Sequence, residues 1–281
     1  MTVAEFQTWM TQHDRRPLVM GVLNVTPDSF SDGGRFAAVE SAIAQAEKLA
    51  ADGADMIDIG GESTRPGSQR IEPREQIRRI LPVLEAAASR LPVAWSVDTR
   101  SSQVASAAIN AGATVINDIS AGRDDPPILR LAADRHLPII LMHMQGEPQT
   151  MQVNPHYGNV IEEVKSFFLD RMKAAQSAGV NSNQILLDPG IGFGKNINHN
   201  LTLIREMNRF TELGRPLVIG TSRKGFIGTI SGEPQPNQRL FGTAATVAWS
   251  IANGADIVRV HDVEPMIKVL RVIRAIQKGA S

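Results

Sequence analysis

The sequence predicts an α/β protein folded as one (β/α)8 barrel, and three observations carry that expectation. Apolar runs of strand length alternate strictly with longer helical patterns, giving eight strand–helix pairs. Three helix-to-strand junctions repeat a motif: Gly53-Ala54-Asp55, Gly112-Ala113-Thr114 and Gly254-Ala255-Asp256. Each glycine suits the left-handed end of a helix immediately before an apolar run. Short polar sequences stand at the downstream ends of the apolar runs, where a parallel α/β enzyme presents side chains to substrate. A doubly wound open sheet uses the same units and stays as the alternative. The count of eight and the lack of a phosphate fingerprint at the start of the chain favour the barrel.

Taken in order, Leu18 to Asn24 reads as the first strand and Ala37 to Ala51 as the first helix, closed by Gly53. Asp55 to Gly60 is the second strand. Pro73 to Arg90 is the next helix, with proline tolerated in its first turn. Val93 to Asp98, Thr114 to Asp118 and Pro138 to His143 are the third to fifth strands, separated by helices at Ser102 to Ala111 and Pro127 to Arg135. An insertion, Met144 to Asn154, precedes a long helix from Gly158 to Ala178. Gln184 to Asp188, Leu217 to Thr221 and Asp256 to His261 complete the strands. Helices at Leu201 to Leu213, Arg239 to Asn253 and Pro265 to Lys278 follow them. The domain expectation is an N-terminal extension over residues 1–16 and a single barrel over 17–281.

Bulk properties narrow the function classes. The chain has 281 residues, 42% hydrophobic and 21% charged, with zero formal net charge. That suits a globular protein with a sizeable core and gives no pull toward nucleic acid or a membrane surface. There is no cysteine, which excludes disulfides, a thiolate nucleophile and a cysteine zinc site. No apolar run reaches the roughly 18 residues of a membrane span and Met1 to Arg16 lacks a signal core. A cytoplasmic enzyme is the default expectation.

The polar strand exits carry the chemistry. Asp98, Asn117 and Asp188 end strands three, four and six. One such residue can be explained as a helix cap, and Asp98 before Thr99-Arg100-Ser101 is a candidate. Three are better explained as acceptors for the N–H edge of a guanidine-like heterocycle. Arg65, Arg259 and His261, with Ser222-Arg223-Lys224, supply cations for an anionic group. Gly190-Ile191-Gly192-Phe193-Gly194-Lys195 resembles a nucleotide loop, but Pro189 and Asn196 break the P-loop pattern and the spacing breaks the dinucleotide one. Its glycines are expected to let backbone approach a flat ligand. None of the six histidines pairs at zinc spacing. Asn24, Asp28 and Asp32 offer hard oxygens suited, with a phosphate, to magnesium. The stretches around Gly33-Gly34 and Gly67 read as loops that close over substrate.

These motifs together resemble the dihydropteroate synthase family. Asn24-Val25-Thr26-Pro27-Asp28-Ser29-Phe30-Ser31-Asp32-Gly33-Gly34 is similar to its first signature, and Gly60-Gly61-Glu62-Ser63-Thr64-Arg65-Pro66-Gly67 to its second. Asp98-Thr99, Asn117-Asp118, Met142-His143-Met144, Asp188-Pro189-Gly190, Ser222-Arg223-Lys224 and Arg259-Val260-His261-Asp262 follow in the family's order. The resemblance implies condensation of 6-hydroxymethyl-7,8-dihydropterin diphosphate with p-aminobenzoate in folate biosynthesis, giving 7,8-dihydropteroate and pyrophosphate. It implies that Asp98, Asn117 and Asp188 hold the pterin edge, Lys224 its polar atoms and Met142 its face. Asn24, Arg65, Arg259 and His261 are implied for the diphosphate, with Mg2+ on Asn24. Phe30, Thr64, Pro66, Phe193, Ser222 and Lys224 are implied around p-aminobenzoate. Asp98, Lys224 and Arg65 are the implied catalytic residues, sulfonamides the implied inhibitors and a homodimer the implied assembly. A methyltetrahydrofolate-binding domain and a non-catalytic pterin-binding paralogue are the rivals. The first needs neither Thr64-Arg65-Pro66 nor Ser222-Arg223-Lys224; the second should have a damaged first loop or Arg65.

Overall fold

A computed structural model describes residues 3–12, 14–26 and 34–279, and the side chains of residues 4–12, 14–26 and 37–279. Phe30, with Asp28, Ser31 and Asp32, lies outside the described residues. Eight parallel strands form one sheet: β1 (Leu18–Asn24), β2 (Met56–Gly60), β3 (Ala94–Asp98), β4 (Val115–Asp118), β5 (Ile139–Met142), β6 (Ile185–Asp188), β7 (Val218–Ile219) and β8 (Ile257–Val260). Strands pair with their sequence neighbours and β1 pairs with β8, while a single parallel bridge from Leu187 to Leu217 joins β6 to β7. The expected barrel is therefore present, with β7 shorter than the sequence suggests.

The helices are α1 (Val3–Thr11), α2 (Gly34–Ala51), α3 (Pro73–Ala87), α4 (Ser102–Asn110), α5 (Pro127–Asp134), α6 (Val160–Ser177), α7 (Ile197–Arg205), α8 (Asn208–Thr211), α9 (Gly225–Ser231), α10 (Leu240–Ala252) and α11 (Val263–Lys278). Gly53, Gly112 and Gly254 all have left-handed φ, at 99°, 109° and 99°, as the repeated junction requires. The helix expected at Leu201 to Leu213 begins four residues earlier. Asn196 caps it by accepting from the His199 N–H at 2.9 Å. The chain then breaks before α8. Asp98 is not a cap, because Ser101 fills that position and accepts from the Val104 N–H.

Strand alternation sorts the side chains into layers. Val19, Ile57, Trp95, Ile116, Ile139, Leu187 and Val258 face the helices and form the main core. Leu18, Met20, Met56, Ala94, Val115, Ile140, Leu186, Val218 and Ile257 fill the lower interior. Helix α1 joins that cluster through Phe6, Trp9 and Met10, each at most 7% exposed. The segment is tied down by Trp9 Nε1 donating to the Arg16 carbonyl at 2.7 Å and by Arg15 to Asp256 at 2.6 Å. The N-terminal extension expected over residues 1–16 thus supplies Phe6, Trp9 and Met10 to the barrel's floor. No helix among the described residues is long and apolar enough to cross a membrane.

Candidate active site

The same alternation that places Met56, Ala94, Val115, Leu186 and Ile257 in the floor places Asp58, Ser96, Asp98, Asn117, Asp188 and Arg259 above them. These residues come from six positions on β2, β3, β4, β6 and β8. A cleft of about 790 Å3 opens over them at the C-terminal ends of the strands, the end where barrel enzymes carry their chemistry. Of the residues singled out from sequence, Asn24, Thr64, Arg65, Pro66, Asp98, Asn117, Met142, Asp188, Phe193, Ser222, Lys224, Arg259 and His261 all line it.

Charge is concentrated on the floor of the cleft. Arg259 donates through Nε to Asp58 at 2.7 Å and through Nη2 to Asp98 at 2.9 Å. Asn117 Nδ2 donates to the same Asp58 oxygen at 3.0 Å. Burial, then the charge of Asp58, pushes Asp98 up to about 7, against the pull of Arg259. Asp188 accepts the Gly190 N–H at 2.7 Å, yet burial still raises it to about 6. Lys224 sits with Nζ 4.2 Å from the Phe193 ring centroid, and burial followed by Arg259 lowers it to about 8. Carboxylates raised and an ammonium lowered in one cleft are the pattern of a functional site.

Two expectations change on contact with this geometry. His261 is not a cation: burial, then Arg259 and Arg223, push it down to about 3. Its Nδ1 pairs with Ser222 Oγ at 3.0 Å, so it offers a neutral hydrogen-bonding ring. Arg223 lines the cleft but its guanidinium is held in a two-pronged pair with Asp262, at 3.0 and 2.6 Å. Arg239 and Lys195 line the cleft too, the first bound to the Glu233 and Arg223 carbonyls and the second to His143, so Lys224, Arg259 and the exposed Arg65 are the cations left to meet an anionic ligand. Two of the glycines of 190–194 also have a packing role that the sequence did not show. A Cβ on Gly190 would strike the His143 carbonyl oxygen and one on Gly194 the Gln145 carbonyl oxygen. Gly190 and Gly194 thus allow loop to pack on loop, while Gly192 stands in the cleft against the Lys224 side chain.

The Thr64-Arg65-Pro66 loop stands on a buried base. Glu62 accepts the Ile71 N–H at 2.6 Å and pairs with Arg100 at 3.1 Å. Arg100 also reaches Asp124 at 2.8 Å, so loops after β2, β3 and β4 share one ionic contact. At its tip the Gly67 N–H donates to the Pro148 carbonyl at 3.0 Å.

Sequence reasoning missed Asp58, Glu62, Arg100 and Lys195. Asp58 carried a signal: a carboxylate in the middle of Met-Ile-Asp-Ile-Gly, on the inward parity set by Met56 and Gly60. Glu62 and Arg100 carried none, since their pairing spans 38 residues. Among the described residues no cluster of three or more His, Cys, Asp or Glu side chains could hold a metal. Asn24 offers one neutral oxygen at the rim of the cleft. Magnesium, which binds through few protein oxygens plus substrate phosphates and water, is compatible with that donor set.

Comparison with known proteins agrees with this geometry. The family described as pterin binding enzyme matches residues 20–261. A dihydropteroate synthase of Synechocystis is 48% identical over 262 residues, covering 93% of this chain and 91% of the relative. Xanthomonas albilineans dihydropteroate synthase, solved with 4-aminobenzoic acid, is 44% identical with a TM-score of 0.88 and 93% coverage of both chains. The same enzyme with 7,8-dihydropteroate gives 42% identity and a TM-score of 0.85, covering 93% of this chain and 94% of that one. The Yersinia pestis enzyme, solved as a sulfonamide complex, gives 42% identity and 0.89, with 94% and 95% coverage. The chain belongs to the pterin binding enzyme family and, within it, to the dihydropteroate synthases.

Proposed function

We propose that this protein condenses 6-hydroxymethyl-7,8-dihydropterin diphosphate with p-aminobenzoate, releasing pyrophosphate and 7,8-dihydropteroate for folate synthesis. The observation that supports it most is the meeting of Asp98, Asn117 and Asp188 in one cleft with Lys224, Arg259 and Arg65. Two carboxylates and an amide accept the N–H edge of the pterin. The complexes of the Xanthomonas and Yersinia relatives with aminobenzoate, dihydropteroate and a sulfonamide support the same ligand classes here, sulfonamides as inhibitors.

The chemistry is a substitution at the methylene carbon. The C–O bond to diphosphate breaks and its electron pair leaves on oxygen. Arg65, Arg259 and Lys224 stabilise that developing charge, with His261 as a neutral hydrogen-bond partner. Asp98 stabilises the positive charge left on the pterin. The amine of p-aminobenzoate, neutral at pH 7, forms the new C–N bond and gives its proton to water or pyrophosphate. Thr64, Pro66, Phe193 and Ser222, with Phe30, shape the aminobenzoate side, and Met142 packs on the pterin face. Mg2+ held by Asn24 would neutralise charge on the departing oxygens when bound.

A homodimer in the cytoplasm completes the proposal. Phe241 and Trp249 on α10 and Val272 and Ile276 on α11 are 51–87% exposed on adjacent helices. That apolar face suits a second copy of the chain, and light scattering at twice the protomer mass would test it. We assign residues 17–281 to the catalytic barrel.

Purified protein with Mg2+, the pterin diphosphate and p-aminobenzoate tests the activity, beside Arg65→Ala and Asp188→Ala. Dihydropteroate from wild type and large losses in both variants are expected. Tight pterin binding without product would overturn the enzymatic reading.

A further inference from the structure

Lys195 ends a motif that looks like a phosphate loop, yet it is 2% exposed and has no part in the reaction above. Its Nζ lies 2.9 Å from His143 Nδ1, 3.0 Å from the Phe193 carbonyl and 3.4 Å from the His143 carbonyl. As an ammonium Lys195 has three donors for these three acceptors, and burial, opposed by the charge of Asp188, lowers it to about 7. Burial, then the charges of Lys195 and Arg123, push His143 down to about 2, so the ring is neutral and Nδ1 can carry a lone pair.

The same pattern extends along the loop. Four consecutive carbonyls are each taken by a side chain. Gly192 is held by Gln152 at 2.6 Å, Phe193 by Lys195, Gly194 by the Tyr157 hydroxyl at 2.8 Å and Lys195 by Asn200 at 3.4 Å. A backbone pinned at every peptide leaves the Phe193 ring little freedom. That ring is the surface on which Lys224 rests.

We propose that Lys195 is a positioning residue for the p-aminobenzoate half of the cleft. It ties the Phe193 carbonyl to the exit of β5 and thereby holds the Phe193 ring against Lys224. This rests on the dihydropteroate synthase reading. Asp98 and Asn117 stand on strands with no bond to this loop, while Asp188 at the end of β6 meets it only through the Gly190 N–H. Loosening the loop therefore acts on aminobenzoate more than on the pterin.

The test is steady-state kinetics of full-length wild type, Lys195→Met and Tyr157→Phe with both substrates varied. Lys195→Met keeps the chain volume and removes the donors. The KM for p-aminobenzoate is expected to rise about tenfold, or ~1.4 kcal/mol, while the KM for the pterin diphosphate stays within about threefold. Equal changes in both constants, or no change in either, overturn the proposal. Where Lys195→Met yields no folded protein, Tyr157→Phe decides. It keeps the ring and should raise only the aminobenzoate KM, by about threefold, and an unchanged value overturns the proposal. Wild type that forms no dihydropteroate overturns the functional reading, and the proposal with it; active wild type with unaltered variants overturns the proposal alone.

Discussion

One oxygen of Asp58 accepts both the Arg259 guanidinium, at 2.7 Å, and the Asn117 amide, at 3.0 Å. A carboxylate can only accept, so Asn117 must present its N–H2 to Asp58 and keep its carbonyl for the cleft. Arg259 is fixed by the same atom. Asp58 is fully buried, so this arrangement does not compete with bulk water.

Asp58→Asn should therefore weaken the hold on both partners, since it removes the charge that pairs with Arg259. The new amide can keep its oxygen toward both donors, but its N–H2 then replaces the Asp58 Oδ1, which is buried without a partner, and an unmatched buried donor costs about 1–3 kcal/mol. The KM for the pterin diphosphate is expected to rise at least about tenfold, with a smaller effect on p-aminobenzoate. Kinetics with each substrate varied in turn will measure the difference.

The pH profile of kcat/KM for the pterin substrate should be bell-shaped. Asp98 and Asp188, raised to about 7 and about 6, accept ligand N–H groups only when ionised, so activity falls as pH drops through that range. Lys224, lowered to about 8, donates fully only as an ammonium, so activity falls above it. Lys224→Arg should move the alkaline limb upward, because a guanidinium stays charged. A flat profile between pH 5 and 9 would remove these groups from the rate-determining complex.

Asp188 also costs stability where it serves function. Its value of about 6 exceeds the ordinary 3.8, so its contribution is favourable at low pH and is lost as pH rises through about 6. A displacement of this size corresponds to ~3 kcal/mol. Asp188→Asn keeps an acceptor for the Gly190 N–H and removes the buried charge. Its Tm should exceed that of wild type by about 5 °C at pH 8 and match it below about pH 4, as calorimetry across that range will show, although the variant is expected to be inactive.

The base of the Thr64-Arg65-Pro66 loop gives a fourth expectation. Glu62→Gln leaves Arg100 with Asp124 alone in a buried setting. Breaking a buried pair on one side costs ~3 kcal/mol. Limited proteolysis should then cut within residues 63–70 faster than in wild type, and equal cutting rates would show that the loop does not depend on this pair.

Much of this molecule was legible before any coordinates. Strand alternation and the repeated glycine junctions define the barrel, and the strand-exit residues Asp98, Asn117 and Asp188 do meet. The residues that hold them in place were less legible. Arg100 finds Glu62 only because consecutive strands lie side by side, and no local pattern encodes that. His261 reads as a cation until its burial is known. Lys195 has no role legible in the sequence, because its motif resembles a nucleotide loop without matching one, whereas Gly190 and Gly194 fold the loop onto carbonyls and the lysine meets His143. Helix α1 had a signal: Phe6, Trp9 and Met10 share one helical face.

That helix lies outside residues 20–261, the span that matches the family. A recombinant fragment trimmed to the matching span would lose Phe6, Trp9 and Met10 from beneath the strands, and with them roughly 1.5–3 kcal/mol per side chain. It would also bare Met20 and Met56 to solvent at the base of the sheet. A fragment cut to that span, which also lacks α11, is thus expected to aggregate more readily than the full chain.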